Sequence, residues 1–301
     1  MKISIIIPVY NAAEYITQTL DGIYAQSIGR SELEVICYLD KCTDDSGAVI
    51  SAWKRQNSGL CLRIIRGLRN AGPSVARNRA IAVARGEFIH FMDADDTINI
   101  DFYQNMYMAA TGASADLATC NFYNQRRPQD SIIYHGDYVL RNPQDKIDDI
   151  KVDVHGYMVR YLIRRTFWDK NKFKFPENMR FCEDWLLANH MVYAANRVVT
   201  VSGALYMYRF RRQSLVGQSR TNPLYQAQGR AAGQSVKDFL AAHHLQPHQR
   251  SVRVTDWRLL GIQIVKILRT DTHSYVRLFG RILFLRASGH IKYFRGDLFN
   301  G

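Results

Sequence analysis

Three carboxylates stand within four residues at Asp93-Ala94-Asp95-Asp96, directly after the apolar stretch Phe88-Ile89-His90-Phe91-Met92. Two like charges about 4 Å apart repel by roughly 4 kcal/mol at an effective dielectric near 20, so a strand that delivers three acids to one place calls for a cation. A hard divalent ion meets that need. Mg²⁺ or Mn²⁺ takes oxygen ligands, and one or two protein carboxylates suffice where a diphosphate completes the shell. The competing reading is a solvated acidic turn that caps the next helix. A second acidic pair, Glu183-Asp184, precedes the apolar run Trp185-Leu186-Leu187 and marks a helix start.

The elements that must hold these groups can be read from hydrophobic pattern. Residues 3–9, 33–39, 61–66 and 87–92 are short apolar runs of strand length, and helical patterns separate them. Asn11 with Glu14 offers an N-cap for the first helix, Thr43 with Asp44 and Asp45 opens the second, and Pro73 opens a third that runs to residue 84. Such alternation predicts an α/β fold with a mostly parallel sheet flanked by helices and ligands at the carboxyl ends of the strands. Residues 116–123 read as a fifth strand, 124–153 as surface loop and short hairpin, and 157–163 and 198–210 as further strands around a helix over 184–195. Beyond residue 220 the pattern reads as helical. At 100° per residue Arg258, Lys266 and Arg269 fall in one arc of 257–269, which predicts a helix with one basic face.

Composition narrows the class. The 301 residues are 47% hydrophobic, enough for a sizeable core, and the five cysteines show no C-x-x-C pairing, which fits a reducing cytosol better than a disulfide framework or a zinc site. Pro8, Asn11 and Glu14 interrupt the first apolar run before it reaches signal-peptide length, and no run approaches the ~18 residues of a membrane span. The formal net charge is +13; from Arg220 onward 13 Lys and Arg face 4 Asp and Glu, so the tail carries +9 of it. That charge suits nucleic acid, anionic lipid or a phosphorylated substrate.

In order along the chain come Ser4-Ile5-Ile6-Ile7-Pro8-Val9-Tyr10-Asn11, Asp40 in Leu39-Asp40-Lys41-Cys42-Thr43-Asp44-Asp45-Ser46, Asn70-Ala71-Gly72-Pro73-Ser74-Val75-Ala76-Arg77-Asn78, the Asp93–Asp96 run and Glu183-Asp184-Trp185. Together they resemble the family 2 glycosyltransferases over residues 1 to about 215. The resemblance implies a GT-A type nucleotide-sugar-binding domain over 1–219, with a nucleotide-sugar half (1–123) and an acceptor half (124–219), followed by a basic helical region (220–301). It also implies metal-dependent sugar transfer with inversion, in a cytoplasmic enzyme of surface-polysaccharide assembly, from a UDP-sugar to a glycan or lipid-linked acceptor. The basic tail would meet an anionic surface at the inner membrane face, or pack through its helices on the catalytic domain or on a second copy.

By the same resemblance Pro8, Tyr10 and Asn11 wall the nucleobase and Asp40 accepts from its imide, a charge-assisted bond that a neutral Asn would not match. Leu39 and Lys41 stand where the family commonly has an acid and a glycine, which alters that loop. Arg77 and Asn78 belong to the donor site, where a planar guanidinium suits a phosphate or the acidic run. Asp93 faces the ribose or sugar, Asp95 is the main ligand of Mn²⁺ or Mg²⁺, and Asp96 assists. Asp184 is the general base, and Glu183 orients the acceptor. Arg209, Arg211 and Ser214, in the segment after the last strand, meet the diphosphate; Arg212 is a further candidate. Two alternatives compete. A nucleotidyltransferase also uses carboxylate-bound metal, but Pro8-Val9-Tyr10-Asn11 is not a glycine-rich phosphate loop. A basic nucleic-acid- or membrane-binding protein would need no acidic cleft, and no nucleic-acid-binding motif is present.

Overall fold

The computed structural model describes residues 1–211, 214–219 and 221–248, together with the backbone of five strands between 253 and 293. The strands of the main sheet are β1 (Ile3–Val9), β2 (Leu33–Leu39), β3 (Cys61–Arg66), β4 (Phe88–Phe91), β5 (Thr97–Ile98), β6 (Leu117–Asn124), β7 (Val139–Leu140), β8 (Tyr161–Arg164) and β9 (Val198–Tyr208). The helices are α1 (Ile16–Tyr24), α2 (Ser46–Gln56), α3 (Pro73–Ile81), α4 (Phe102–Gly112), α5 (Pro143–Ile150), α6 (Arg165–Lys170), α7 (Glu183–Ala194), α8 (Leu215–Gln218) and α9 (Pro223–Ala242).

The sheet runs β3-β2-β1-β4-β8-β6-β9-β5, with β7 on the side of β9. It is parallel from β3 to β4; β8 then enters antiparallel to β4, and β6 and β9 form a further parallel pair. The continuous apolar runs exist because both faces are covered. Ile3, Ile5, Ile7 and Val9 of β1 pack in one core layer with Ile16 and Leu20 of α1, while Ile6 packs in the opposite layer with Ala76 of α3 and Leu187 of α7. That is the two-residue alternation of a strand buried on both sides.

Several expectations change. Asn11 does not cap α1: the helix begins at Ile16 behind Tyr15, and Asn11 turns the chain with φ 48°. The second helix opens at Ser46 rather than Thr43 because Asp44 accepts from Ser46 N–H (3.0 Å) and holds the turn before it. The third ends at Ile81. The stretch 124–153 is more than surface loop. Asn142 accepts from Gln144 N–H and Asp145 N–H to start α5, and Ile147, Ile150 and Val152 are fully buried, a narrow apolar face hidden in sequence among acids. The expected strand over 157–163 is shortened to β8 by a tight helical turn at Met158–Arg160.

The helical expectation after 220 holds for α9 and fails beyond Arg253. There the backbone forms an antiparallel meander, β10 (Arg253–Leu259), β11 (Ile262–Arg269), β12 (His273–Leu278), β13 (Arg281–Ala287) and β14 (His290–Tyr293). β-branched residues such as Val254, Thr255, Ile262, Ile264 and Val265 favour that state. The side chains of Arg258, Lys266 and Arg269 lie outside the described residues, so the single basic helix face is replaced by positions on two paired strands. Among the described residues no helix is long and apolar enough to cross a membrane.

Candidate active site

Main-chain ladders bring the first candidates to one rim. Asp40 N–H extends the β1–β2 ladder to Val9 O (2.9 Å), and Met92 N–H extends the β1–β4 ladder to Ile6 O (3.0 Å). Tyr10, Asp40 and Asp93 therefore leave three adjacent strands at the same edge.

The acidic run is held from across the sheet by β9. Tyr206 Oη donates to Asp96 Oδ2 (2.6 Å), Arg209 N–H donates to Asp96 Oδ1 (2.7 Å), and Asp93 N–H donates to Tyr206 Oη (3.2 Å). Asp96 is fully buried, and burial with the charges of Asp95 and Asp93 raises its carboxyl well above the usual carboxylate range. Both its oxygens are engaged, so Asp96 anchors the loop. Asp95 pairs with the Arg211 guanidinium, and its pKa too is raised by burial and by Asp93. Arg211 Nη1 also donates to Asn11 O (3.3 Å), Arg209 Nη2 donates to Gln18 Oε1 (2.5 Å), and both guanidinium groups lie over the Tyr15 ring, 5.1 and 5.5 Å from its centre. The two arginines thus project to the same side, from the end of β9 toward the β1–α1 loop.

Arg77 joins this rim to the opposite wall. Its Nη2 reaches Asp93 Oδ1 at 3.2 Å and its Nη1 reaches Glu183 Oε1 at 2.5 Å, with the guanidinium 5.2 Å from the Phe175 ring. The Arg77 and Glu183 side chains are nearly buried, while that of Asp93 is 36% exposed and open to the cleft. At the start of α7, Asp184 accepts from Met158 N–H at 3.3 Å. Burial and the neighbouring Glu183 raise the Asp184 carboxyl to about 7, against the lowering effect of Arg77. A carboxylate with that affinity for a proton is matched to base catalysis near neutral pH.

The remaining sequence candidates occupy supporting positions. Asp40 is buried and accepts from Ala71 N–H (2.9 Å) and Gly72 N–H (2.7 Å), fixing the loop before α3. Gly72 holds φ 91° there, in the left-handed region that favours glycine. Lys41, in the family's glycine position, adopts φ 56°. Asn11 accepts from Thr43 N–H and donates to Thr43 Oγ1, both at 2.9 Å, which locks two strand-end loops together. Asn78 clamps the chain before α7 through Phe175 O (3.0 Å) and Phe175 N–H (3.0 Å). Ser214 caps α8 by accepting from Gly217 N–H (3.1 Å). Pro8 is half-buried in β1, Tyr10 is 48% exposed at the rim, and Arg212 lies outside the described residues.

Sequence reasoning passed over the aromatic side of the cleft. Tyr206, Tyr208 and Phe210 recur at every second residue after an apolar strand, the signal of one strand face lined with rings. Phe122 stacks on Tyr157 (4.8 Å, 24°), Tyr206 (6.1 Å, 9°) and Tyr208 (6.0 Å, 24°); Phe122 and Tyr206 are buried, and the half-buried Tyr157 and Tyr208 lie by Asp184 and the acidic run respectively.

Asp93 and Asp95 are the oxygen donors that suit a divalent cation: one is open to the cleft and the other already holds a cationic group. Among the described residues no three His, Cys, Asp or Glu side chains are clustered to hold a metal ion. An ion at this pair would draw further ligands from the oxygens of a bound diphosphate.

The geometry agrees with what the chain resembles. Over 221 residues it is 30% identical to the glycosyltransferase EpsJ of Bacillus subtilis, which covers 71% of this chain and 62% of that protein. It is 29% identical to a poly(ribitol-phosphate) beta-glucosyltransferase of Bacillus spizizenii, over 70% of this chain but only 33% of the relative, so it spans from a third to three fifths of these proteins. Among solved structures, residues 1–349 of Staphylococcus aureus TarS superpose with a TM-score of 0.61 at 25% identity, covering 69% of this chain and 60% of that one. The sequence profile described as Glycosyl transferase family 2 matches residues 4–184, from the first strand to Asp184. With one guanidinium joining the acidic run to the Glu183-Asp184 pair, and with more than half its length inside that profile, the chain belongs to the family 2 glycosyltransferases.

Proposed function

We propose that residues 1–219 form the catalytic unit of an inverting enzyme that moves a sugar from a UDP-sugar to a hydroxyl of a polymeric glycan or lipid-linked acceptor in surface-polysaccharide assembly. Asp184 takes the proton of that hydroxyl as its oxygen attacks the anomeric carbon from the face opposite the diphosphate, and the C–O bond to the diphosphate breaks with its electron pair leaving on the phosphate oxygen. Asp95 and Asp93 would hold Mn²⁺ or Mg²⁺, whose contribution is to neutralise the diphosphate. Arg209 and Arg211 approach the same region and favour the departing charge. Tyr10 and the Asp40 loop flank the nucleobase. Arg77, Asn78, Asn11 and Ser214 hold the loops that shape the cleft.

The observation that carries this reading is the buried Arg77 pair. One guanidinium ties the donor-side Asp93 to Glu183, the neighbour of a base whose pKa is raised to about 7. Relatives support the donor and the polymer: a 26%-identical protein from Staphylococcus aureus is named poly(ribitol-phosphate) beta-N-acetylglucosaminyltransferase TarS, and TarS has been solved with UDP-GlcNAc. In the same reading the enzyme works at the cytoplasmic side. Its region from Arg220 onward, with a net charge of +9, meets an anionic membrane face or a second copy.

The test is a screen of nucleotide sugars for Mn²⁺-stimulated release of nucleotide without acceptor, since slow donor hydrolysis identifies the donor first. Turnover of a UDP-sugar, removed by EDTA, is the expected result. Selective turnover of a GDP- or dTDP-sugar would overturn the donor assignment, and no turnover of any nucleotide sugar would overturn the reading as a whole.

A further inference from the structure

The aromatic floor continues past the acidic run to an arginine that no carboxylate engages among the described residues. Arg126 follows β6, and its guanidinium lies 3.8 Å from the centre of the Phe210 ring. Asn124 Oδ1 fixes the turn by accepting from Arg126 N–H (3.1 Å) and Arg127 N–H (3.0 Å). The other arginines nearby are occupied: Arg127 faces Asp130 at 3.7 Å, Arg209 binds Gln18, and Arg211 binds Asp95. Arg126 is exposed, and its side-chain N–H groups donate to nothing among the described residues. A guanidinium held over a ring by its central carbon still presents its N–H donors to an oxyanion.

Between Arg126 and the base lie two half-buried phenols. Tyr157 is stacked on Phe122 and feels the Asp184 charge; Tyr208 feels the charges of Asp96, Asp93 and Asp95 and neighbours Tyr157. Neither phenol has a hydrogen-bond partner among the described residues. Two free hydroxyls on a flat aromatic surface match a polyol or a sugar ring, which presents C–H faces and hydroxyl edges. Tyr157 is the member of this strip that lies by Asp184, while Tyr208 adjoins the acidic run.

We propose that Tyr157, Tyr208 and Arg126 form the acceptor subsite, with the phenols on the hydroxyls of the reacting unit and Arg126 on a phosphate beside it, so that the acceptor is a phosphorylated polyol or sugar. The proposal rests on the glycosyltransfer reading above and adds the charge of the acceptor to it.

The experiment compares acceptors with and without the phosphate. Nucleotide release from the donor found in the screen is measured with ribitol 5-phosphate, glycerol 3-phosphate and glucose 6-phosphate, each beside its dephosphorylated counterpart. At least one phosphorylated member is expected to stimulate release at a half-saturating concentration on the order of tenfold below that of its partner, as charge-assisted binding to one guanidinium provides. Arg126→Gln should collapse that ratio toward one, and Arg126→Lys should keep part of it. The ratio, not the absolute rate, is read, which separates specificity from a general loss of folding. A ratio near one in the unaltered enzyme, or a ratio that survives Arg126→Gln, overturns the proposal. Donor hydrolysis that no phosphorylated acceptor stimulates overturns the proposal and leaves the glycosyltransfer reading intact, whereas absence of donor hydrolysis breaks that reading itself.

Discussion

The two walls of the cleft are built by different means. On the proposed donor side, the rim of β1, β2 and β4 is placed by main-chain ladders that fix Asp40 and Asp93, while Arg211 and Tyr206 hold Asp95 and Asp96 from across the sheet. On the proposed acceptor side no single element sets the geometry. Asp184 takes its place from the start of α7, Met158 N–H, and rings from β6, β9 and the turn before β8. A ladder tolerates side-chain change, while an assembly of side chains does not. Arg77 pairs with an acid from each wall.

Substitutions can break this contrast, and the largest effect is expected at the donor wall. Asp95→Ala should lower kcat/KM by on the order of 10³ and weaken UDP binding in the presence of Mn²⁺, measured by steady-state transfer and by calorimetry. Near-normal metal-stimulated turnover in that variant would remove Asp95 from the site.

Next in size is the bridge between the walls. Arg77→Met leaves Glu183 buried without its cation, so the unfolding free energy should fall by about 3 kcal/mol in urea titration. A loss under 1 kcal/mol would mean that the walls hold each other by packing alone.

The pH profile sharpens the acceptor side. As the proposed base, Asp184 must be unprotonated to work, and burial raises its carboxyl to about 7, so kcat/KM should fall about tenfold per unit as pH drops below 7 and level off above it. An acid limb near pH 4 would show that the base is another, better solvated group.

The smallest effect is expected where the main chain dominates. Asp40→Asn keeps shape but leaves one acceptor oxygen for two donors, so either the Ala71 or the Gly72 N–H loses its bond, which should cost about 1–2 kcal/mol and lower Tm by several degrees. Unchanged stability with a large loss of UDP affinity would show that Asp40 serves the nucleobase rather than the loop.

The same contrast explains what the sequence disclosed. The doubly covered strands β1, β2 and β4 are legible because burial on both faces writes them as largely apolar runs, with Asp40 and Asp93 at the ends of β2 and β4. The Asp184 end of the cleft draws on segments near 122, 157, 184 and 208, and no local pattern announces that Tyr157 and Tyr208 meet over Phe122. Asn11 and Asn78 show the limit of motif position, since each satisfies loop backbone groups that only the folded chain brings near, whereas Ser214 caps its own helix three residues on. α5 was hidden because Ile147 and Ile150 form a face only two residues wide among acids. The tail departs from the helical pattern because apolar runs such as 262–269 fit a helical arc and a strand equally well until pairing decides.

The division of labour between the walls is tested most directly by Asp184→Asn, which keeps size and polarity and removes the proton acceptor. UDP-sugar affinity by calorimetry with Mn²⁺ and the rate of transfer are measured on the same preparation. The expected result is a rate lower by roughly 10²–10⁴ with donor affinity within about twofold of the unaltered enzyme. Donor affinity that falls in step with the rate would contradict the assignment and make Asp184 part of the donor wall.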